Sequence, residues 1–263
     1  MKIGIFRFAD IFYKLTKTRF YIARQELFDK VINLYIWVLC SLVVMGYVMQ
    51  AFGLANNYGC FQLATIMGTV GLFEIYGNAF RCMIDFEGDR HISYYLTLPI
   101  RPSVVLWSMI TSYVMMGIIL SCFVLPFGKL ILWNSFNLSD VAWIKFAIIT
   151  ILANIFYGVF TIAVTAHVGV MSKMENVWTR FIFPLWFMGG FQFSWESIYN
   201  LSQPLAYVLL GNPILYVMEG TRAALLGSPD CLSWGVCCVM LSLFTIACWF
   251  YAKYKMRRML DFV

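Results

Sequence analysis

Apolar runs about as long as a bilayer is thick recur along this 263-residue chain, and that recurrence leaves few folds open. A helix needs about 20 apolar residues to cross a hydrocarbon core of about 30 Å. In lipid, only structures that satisfy their own backbone hydrogen bonds can do so. Six such stretches fall at residues 31–52, 61–82, 103–127, 141–171, 181–193 and 232–251. Composition agrees: 62% of residues are hydrophobic, 12% are charged and the mean hydropathy is +0.78. Soluble domains run nearer half apolar and a quarter charged. The expected fold is therefore an all-α integral membrane protein of six transmembrane helices. Soluble catalytic architectures, nucleic-acid readers and disulfide scaffolds are excluded.

The fifth stretch is short. Thirteen residues rise roughly 20 Å, less than a full crossing. Beyond it, the apolar piece 205–217 is interrupted by Gly211 and Pro213. Residues 194–229 thus read as a re-entrant hairpin between helices five and six, within a six-span membrane domain covering 31–263. Residues 1–30 differ. Ile5, Phe8, Phe12 and Leu15 recur at steps of three and four, with seven Lys and Arg interspersed. That pattern predicts an amphipathic helix in the headgroup layer, packed on lipid, on a partner or on both. Fifteen of the nineteen Lys and Arg lie on one side if both ends are cytoplasmic, and only Lys129 and Arg222 lie clearly on the other. The positive-inside rule then places both termini in the cytoplasm.

Two connecting segments carry most of the information. The first is the loop after the second stretch, about 86–99. Here Asp89 can cap a short helix. Ile92, Tyr95 and Leu96 then share a face, and Pro99 and Pro102 bracket the segment. The second begins Asn212-Pro213 and continues through Tyr216, Glu219, Gly220 and Arg222. Glu219 and Arg222 stand three apart, so on a helix they can pair.

Asn-Pro-x-x-Tyr-x-x-Glu-Gly-x-Arg before a last span resembles the hallmark of the type-2 ABC exporter permeases, the six-span membrane subunits of ATP-binding-cassette exporters. The loop leading to Tyr-Leu-x-x-Pro resembles that family's coupling helix. At this loop relatives often carry Arg-Glu-x-Gly-Thr-x-Glu, whereas this chain has Glu87-Gly88-Asp89-Arg90-His91-Ile92-Ser93. The resemblance covers essentially the whole chain. It implies that Glu87, Asp89, Arg90, His91, Ile92, Tyr94, Tyr95 and Leu96 dock a separate nucleotide-binding ATPase subunit, present in two copies, and that a second permease, identical or similar, completes the assembly. It also implies a place in a bacterial inner membrane and an amphipathic or lipid-linked cargo, with ATP and Mg held by the partner. Consistent with that division of labour, this sequence has no Gly-x-x-x-x-Gly-Lys-Ser/Thr loop, since Gly128-Lys129 is followed by Leu130.

Among isolated polar residues, Glu74 stands out inside the second stretch, with Asn78 one turn on. A carboxylate at bilayer depth costs about 2.5–3.5 kcal/mol on insertion scales, so it should face protein or water. It reads equally as a pathway group or as a helix lock. Arg81 and Asp85, four apart, are expected to pair. Tyr35, Trp37 and Phe73 are candidates to line a path beside Glu74 and Asn78, with packing and interfacial belts the default. The eight cysteines form no Cys-x-x-Cys pair and only two histidines join them, so no metal site is expected. The competing readings are an intramembrane lipid-modifying enzyme, built on the cluster Asp85, Glu87, Asp89 and His91, and an ATP-independent transporter or channel.

Overall fold

A computed structural model describes residues 5–55, 57–88, 90–97, 100–133, 135–227 and 231–260, leaving out the side chains of 5–8, 93, 96, 259 and 260. Among the described residues the chain is helical throughout, with no strand. Helix α1 (Ile5–Gln25) packs along the bundle, and α2 (Leu27–Val43) continues through a π-helical turn (Val44–Val48) and a 3-10 turn (Met49–Phe52). Gly53, at φ +92°, ends it. The next elements are α3 (Tyr58–Glu87), α4 (His91–Thr97), α5 (Pro102–Ile131) and α6 (Trp143–Val168). Short pieces follow: α7 (Met174–Val177), a π-helical turn (Trp178–Ile182), α8 (Phe183–Phe187), α9 (Trp195–Leu201), α10 (Gln203–Leu209) and α11 (Pro213–Leu225). Helix α12 (Trp234–Leu260) closes the order.

Among the described residues, five helices are long and apolar enough to cross a membrane: Leu27–Phe52, Tyr58–Glu87, Pro102–Ile131, Trp143–Val168 and Trp234–Arg258. They suggest a multi-pass membrane protein. The fifth stretch anticipated from sequence, 181–193, is not a sixth such helix. Helical turns that include Pro184 run on from Met174 only to Phe187, and the paired Gly189-Gly190 ends them, with Gly190 at φ +86°. The boundary expected at residue 30 also moves. Helix α1 ends at Gln25, and Glu26, which follows it, sends its carboxylate to Arg81 (2.5 Å). Lys30 therefore lies in the first turn of α2 rather than in α1.

Helix α3 is the axis. In its most apolar stretch 78% of residues are buried, against 17% for the outer helices α2 and α12. Small residues let its neighbours approach closely. Side chains of α6 fill the space a Cβ would need: Tyr157 and Asn154 over Gly71, and Asn154 over Gly117 of α5. The Tyr157 hydroxyl donates to the Gly68 carbonyl (2.7 Å), tying α6 to α3 at that groove.

Two contacts fix the course of the broken segment. The Met171 N–H donates to Glu87 Oε1 (2.7 Å) at the end of α3, and the Tyr58 hydroxyl donates to the Gln192 carbonyl (2.8 Å) at its start. Residues 171–192 thus run the length of α3 in the opposite direction. Helices α6 and α12 run parallel. Trp234 Nε1–H donates to the Lys145 carbonyl (3.2 Å) at one end, and His167 meets the Tyr251 hydroxyl (2.5 Å) near the other.

Candidate functional site

Three groups of residues singled out by sequence fall in three places. The hairpin motif is the most enclosed. Pro213 opens α11, and the Asn212 side chain caps it, its Oδ1 accepting from the Ile214 N–H (3.0 Å). Asn212 Nδ2–H donates to the Leu185 carbonyl (2.7 Å), and the Tyr216 hydroxyl to the Leu210 carbonyl (2.8 Å). One turn on, Glu219 and Arg222 pair as their spacing implied (2.8 Å), and both are 0% exposed.

Their remaining valences are taken up from several elements. Arg222 donates to Thr65 Oγ1 of α3 (2.8 and 3.1 Å), to the Phe193 carbonyl (3.1 Å) and to the Gly190 carbonyl. Its guanidinium lies 3.9 Å from the ring centre of Phe61. Glu219 accepts from the Trp195 N–H (3.1 Å) and the Leu232 N–H (3.0 Å). Gly220 is needed here, because a Cβ would stand 2.8 Å from Ile149. The motif is a staple. It gathers α3, the Gly190 turn, the start of α9 and the approach to α12 around one ion pair.

The second group surrounds α4. Asp89 lies outside the described residues, as does the side chain of Leu96. Among the described residues Asp85 caps α4. Its carboxylate accepts from the backbone N–H groups of His91 (3.1 Å) and Ile92 (2.7 Å), and its Oδ1 lies 3.2 Å from His91 Nδ1. Asp85 does not pair with Arg81, which goes to Glu26. Arg90 adopts φ +54°, the one non-glycine residue with positive φ among those described, and this turn brings α4 back over Asp85. Glu87 reaches across to Met171, joining the two loops at this end of the bundle. Of the described members of the acidic cluster, Asp85 and His91 meet while Glu87 is directed to Met171. Among the described residues no three His, Cys, Asp or Glu side chains are placed to hold a metal ion.

Exposure on α4 also departs from the expected face. Ile92 is buried against Leu106 and Met109, and Tyr95 is half-buried, with the Arg19 guanidinium 5.7 Å from its ring centre. His91, Tyr94 (63% exposed) and Thr97 face outward.

The third group is divided. Trp37 and Phe73 meet edge to face at 4.9 Å and line a cavity of about 220 Å³ with Lys30, Leu34, Val70 and Glu74. Tyr35 is not part of it and stacks on Phe127 of α5 (4.2 Å). Asn78 lines a second cavity nearer the end of α3. Glu74 is not unpaired. It forms an ion pair with Lys30, both side chains being largely enclosed. Lys30 was counted in sequence as part of the headgroup helix, and its partner 44 residues away has no sequence signal beyond the rule that an enclosed carboxylate needs a cation. The pair also sets the level of Glu74. It lies beside the first turn of α2, so the thirteen residues of α3 that follow, about 20 Å of helix, extend past it alongside α1 and α4.

No known family model matches the chain, and no curated protein matches it.

Proposed function

We propose that this chain is the membrane-embedded permease subunit of an ATP-driven exporter of type-2 ABC architecture. In this reading six crossings enter and leave a bacterial cytoplasmic membrane with both ends in the cytoplasm. Residues 171–187 make the fifth crossing, and 194–229 form an extracytoplasmic hairpin. The parallel course of α6 and α12 supports it, because the segment between two parallel neighbours must return across the bundle.

The observation that carries the functional part is α4. It is a one-to-two-turn helix held rigidly by Asp85 at the end of the buried axis, with His91, Tyr94 and Thr97 turned outward. A soluble ATPase subunit gripping that face would move α3 directly, and Glu87 would carry the motion to the connection leading into α7. ATP and Mg stay on that partner. Two copies of it serve two permeases, whose lipid-facing and mutual surfaces come from the outer helices. An amphipathic cargo fits the aromatic cavity at Trp37 and Phe73 beside the Lys30–Glu74 pair.

The test is purification of the full chain from its native membrane in mild detergent, followed by identification of stoichiometric partners. An ATPase with a phosphate-binding Gly-rich loop is expected, and its hydrolysis should be stimulated in vesicles by the chain. Cargo movement against a gradient with no such partner present would overturn the proposal and favour the ATP-independent transporter.

A further inference from the structure

The cavity at the end of α3 has an electrostatic imbalance that the transport reading does not explain. It holds about 250 Å³ between α1, α3, α4 and α5. Four basic side chains line it: Arg19, Lys30, Arg81 and His91. Three have an acidic neighbour, namely Lys30 with Glu74, Arg81 with Glu26, and His91 with Asp85. Arg19 has none among the described residues. Its Nε and Nη2 are shut off from solvent without a hydrogen-bond acceptor, and its guanidinium lies over the face of Tyr95.

Enclosed guanidinium donors without an acceptor are unfavourable, and such groups ordinarily find a partner. Two N–H groups in a planar fork match two oxygens of a phosphate. Asn78 and Ser112 add polar side chains to the wall, while Ile22, Ile92 and Met116 supply apolar surface. A fully charged small anion does not need that apolar surface. A glycerophosphate headgroup does.

The setting favours the same chemistry. The cavity lies beyond the Lys30–Glu74 level, on the part of α3 that runs beside α1. Helix α1 exposes Lys14, Lys17, Tyr13 and Tyr21 next to it, the mixture expected at a headgroup layer. Lys30 lines this cavity and the aromatic one alike, so an apolar tail leaving the headgroup has an adjacent lined space.

We propose that this cavity is a binding site for a phosphate-bearing anion, the headgroup of an anionic phospholipid, with Arg19 as its principal ligand. Occupation satisfies Arg19 and ties α1 to α3, α4 and α5. The site does not depend on the chain being an exporter, and its test does not measure transport.

Native mass spectrometry and thermal-shift measurements on the full chain in mild detergent compare phosphatidylglycerol, phosphatidylcholine and inorganic phosphate. The wild-type chain should retain phosphatidylglycerol in preference to phosphatidylcholine. Arg19→Gln should weaken that binding by about tenfold or more, the size of a lost charge-assisted hydrogen bond. Lys14→Gln, an exposed change on the same helix, should leave it unaltered. Binding of inorganic phosphate that depends on Arg19, without preference between the lipids, would support the anion site and assign it to a free phosphate. Equal binding by the wild-type and Arg19→Gln chains would overturn the proposal, as would a wild-type chain that takes up neither anion. Should Arg19→Gln fail to fold, Arg19→Lys, which keeps the charge but loses the fork, must still bind more weakly than wild type.

Discussion

Arg222 and Glu219 show how far a charge can be taken from water when every valence is met. Breaking a buried pair by removing one member typically destabilises by about 3–5 kcal/mol, because the other charge is left unpaired. Arg222→Ala and Glu219→Ala are therefore expected to lower the thermal midpoint of the detergent-solubilised chain sharply, or to prevent its accumulation. Thr65→Val should act in the same direction and more weakly, since Thr65 Oγ1 accepts from both Nε and Nη2. Full stability in Arg222→Ala would mean that the staple is not holding the hairpin. The pairing itself was legible, because a three-residue separation on a helix puts two side chains on one face. Its depth was not legible, since burial comes from Thr65, Gly190 and Phe193, which lie 29 to 157 residues away in sequence. Lys30 and Glu74 illustrate the same limit. Each charge was visible in the sequence, but only the packing of α2 on α3 brings them together. For this pair, Glu74→Gln should destabilise more than the double change Lys30→Met with Glu74→Met, as measured by thermal unfolding of the three variants.

Among the elements, α4 is the clearest case of local structure dictated from outside its own sequence. Seven residues are too few to hold a helix in water alone. The α4 helix persists because Asp85, on the preceding helix, accepts its first N–H groups and Ile92 is buried beneath it. Asp85→Ala should remove this cap at a cost of about 1 kcal/mol, and amide exchange at residues 91–97 should rise while the rest of the bundle is unchanged. Tyr94→Ala is expected to reduce ATPase stimulation in reconstituted vesicles without affecting the chain's own stability. Tyr95→Ala should instead lower stability, since Tyr95 packs under Arg19. Equal effects of the two would argue against an outward docking face. The sequence indicated a short bracketed helix here but assigned its faces from periodicity alone, and over seven residues that leaves the direction of the core undetermined. Glycines in the long helices were less legible still. Gly117→Ala should overpack α5 against Asn154, costing about 1–3 kcal/mol, an effect to be read from thermal midpoints beside Gly77→Ala, where a Cβ meets nothing.

For the whole molecule, the all-helical membrane character was present in the spacing of apolar runs. Whether residues 171–187 make a further crossing was not, because they form short helical pieces that hydropathy alone cannot join. Single cysteines at Lys14 and Lys255, introduced into a cysteine-free background, should label from the same side of sealed vesicles if the broken segment crosses. Labelling from opposite sides would limit the chain to five crossings. The parallel pairing of α6 with α12 also bears on how the protein is made. During translation α6 is complete at Val168, yet the helix it lies against begins only at Trp234. At about 5–20 residues per second, roughly 3–13 s pass before that neighbour emerges. For that interval the nascent chain presents an uncovered seam to the insertion machinery, and a ribosome stalled within the hairpin would leave it open to proteolytic quality control.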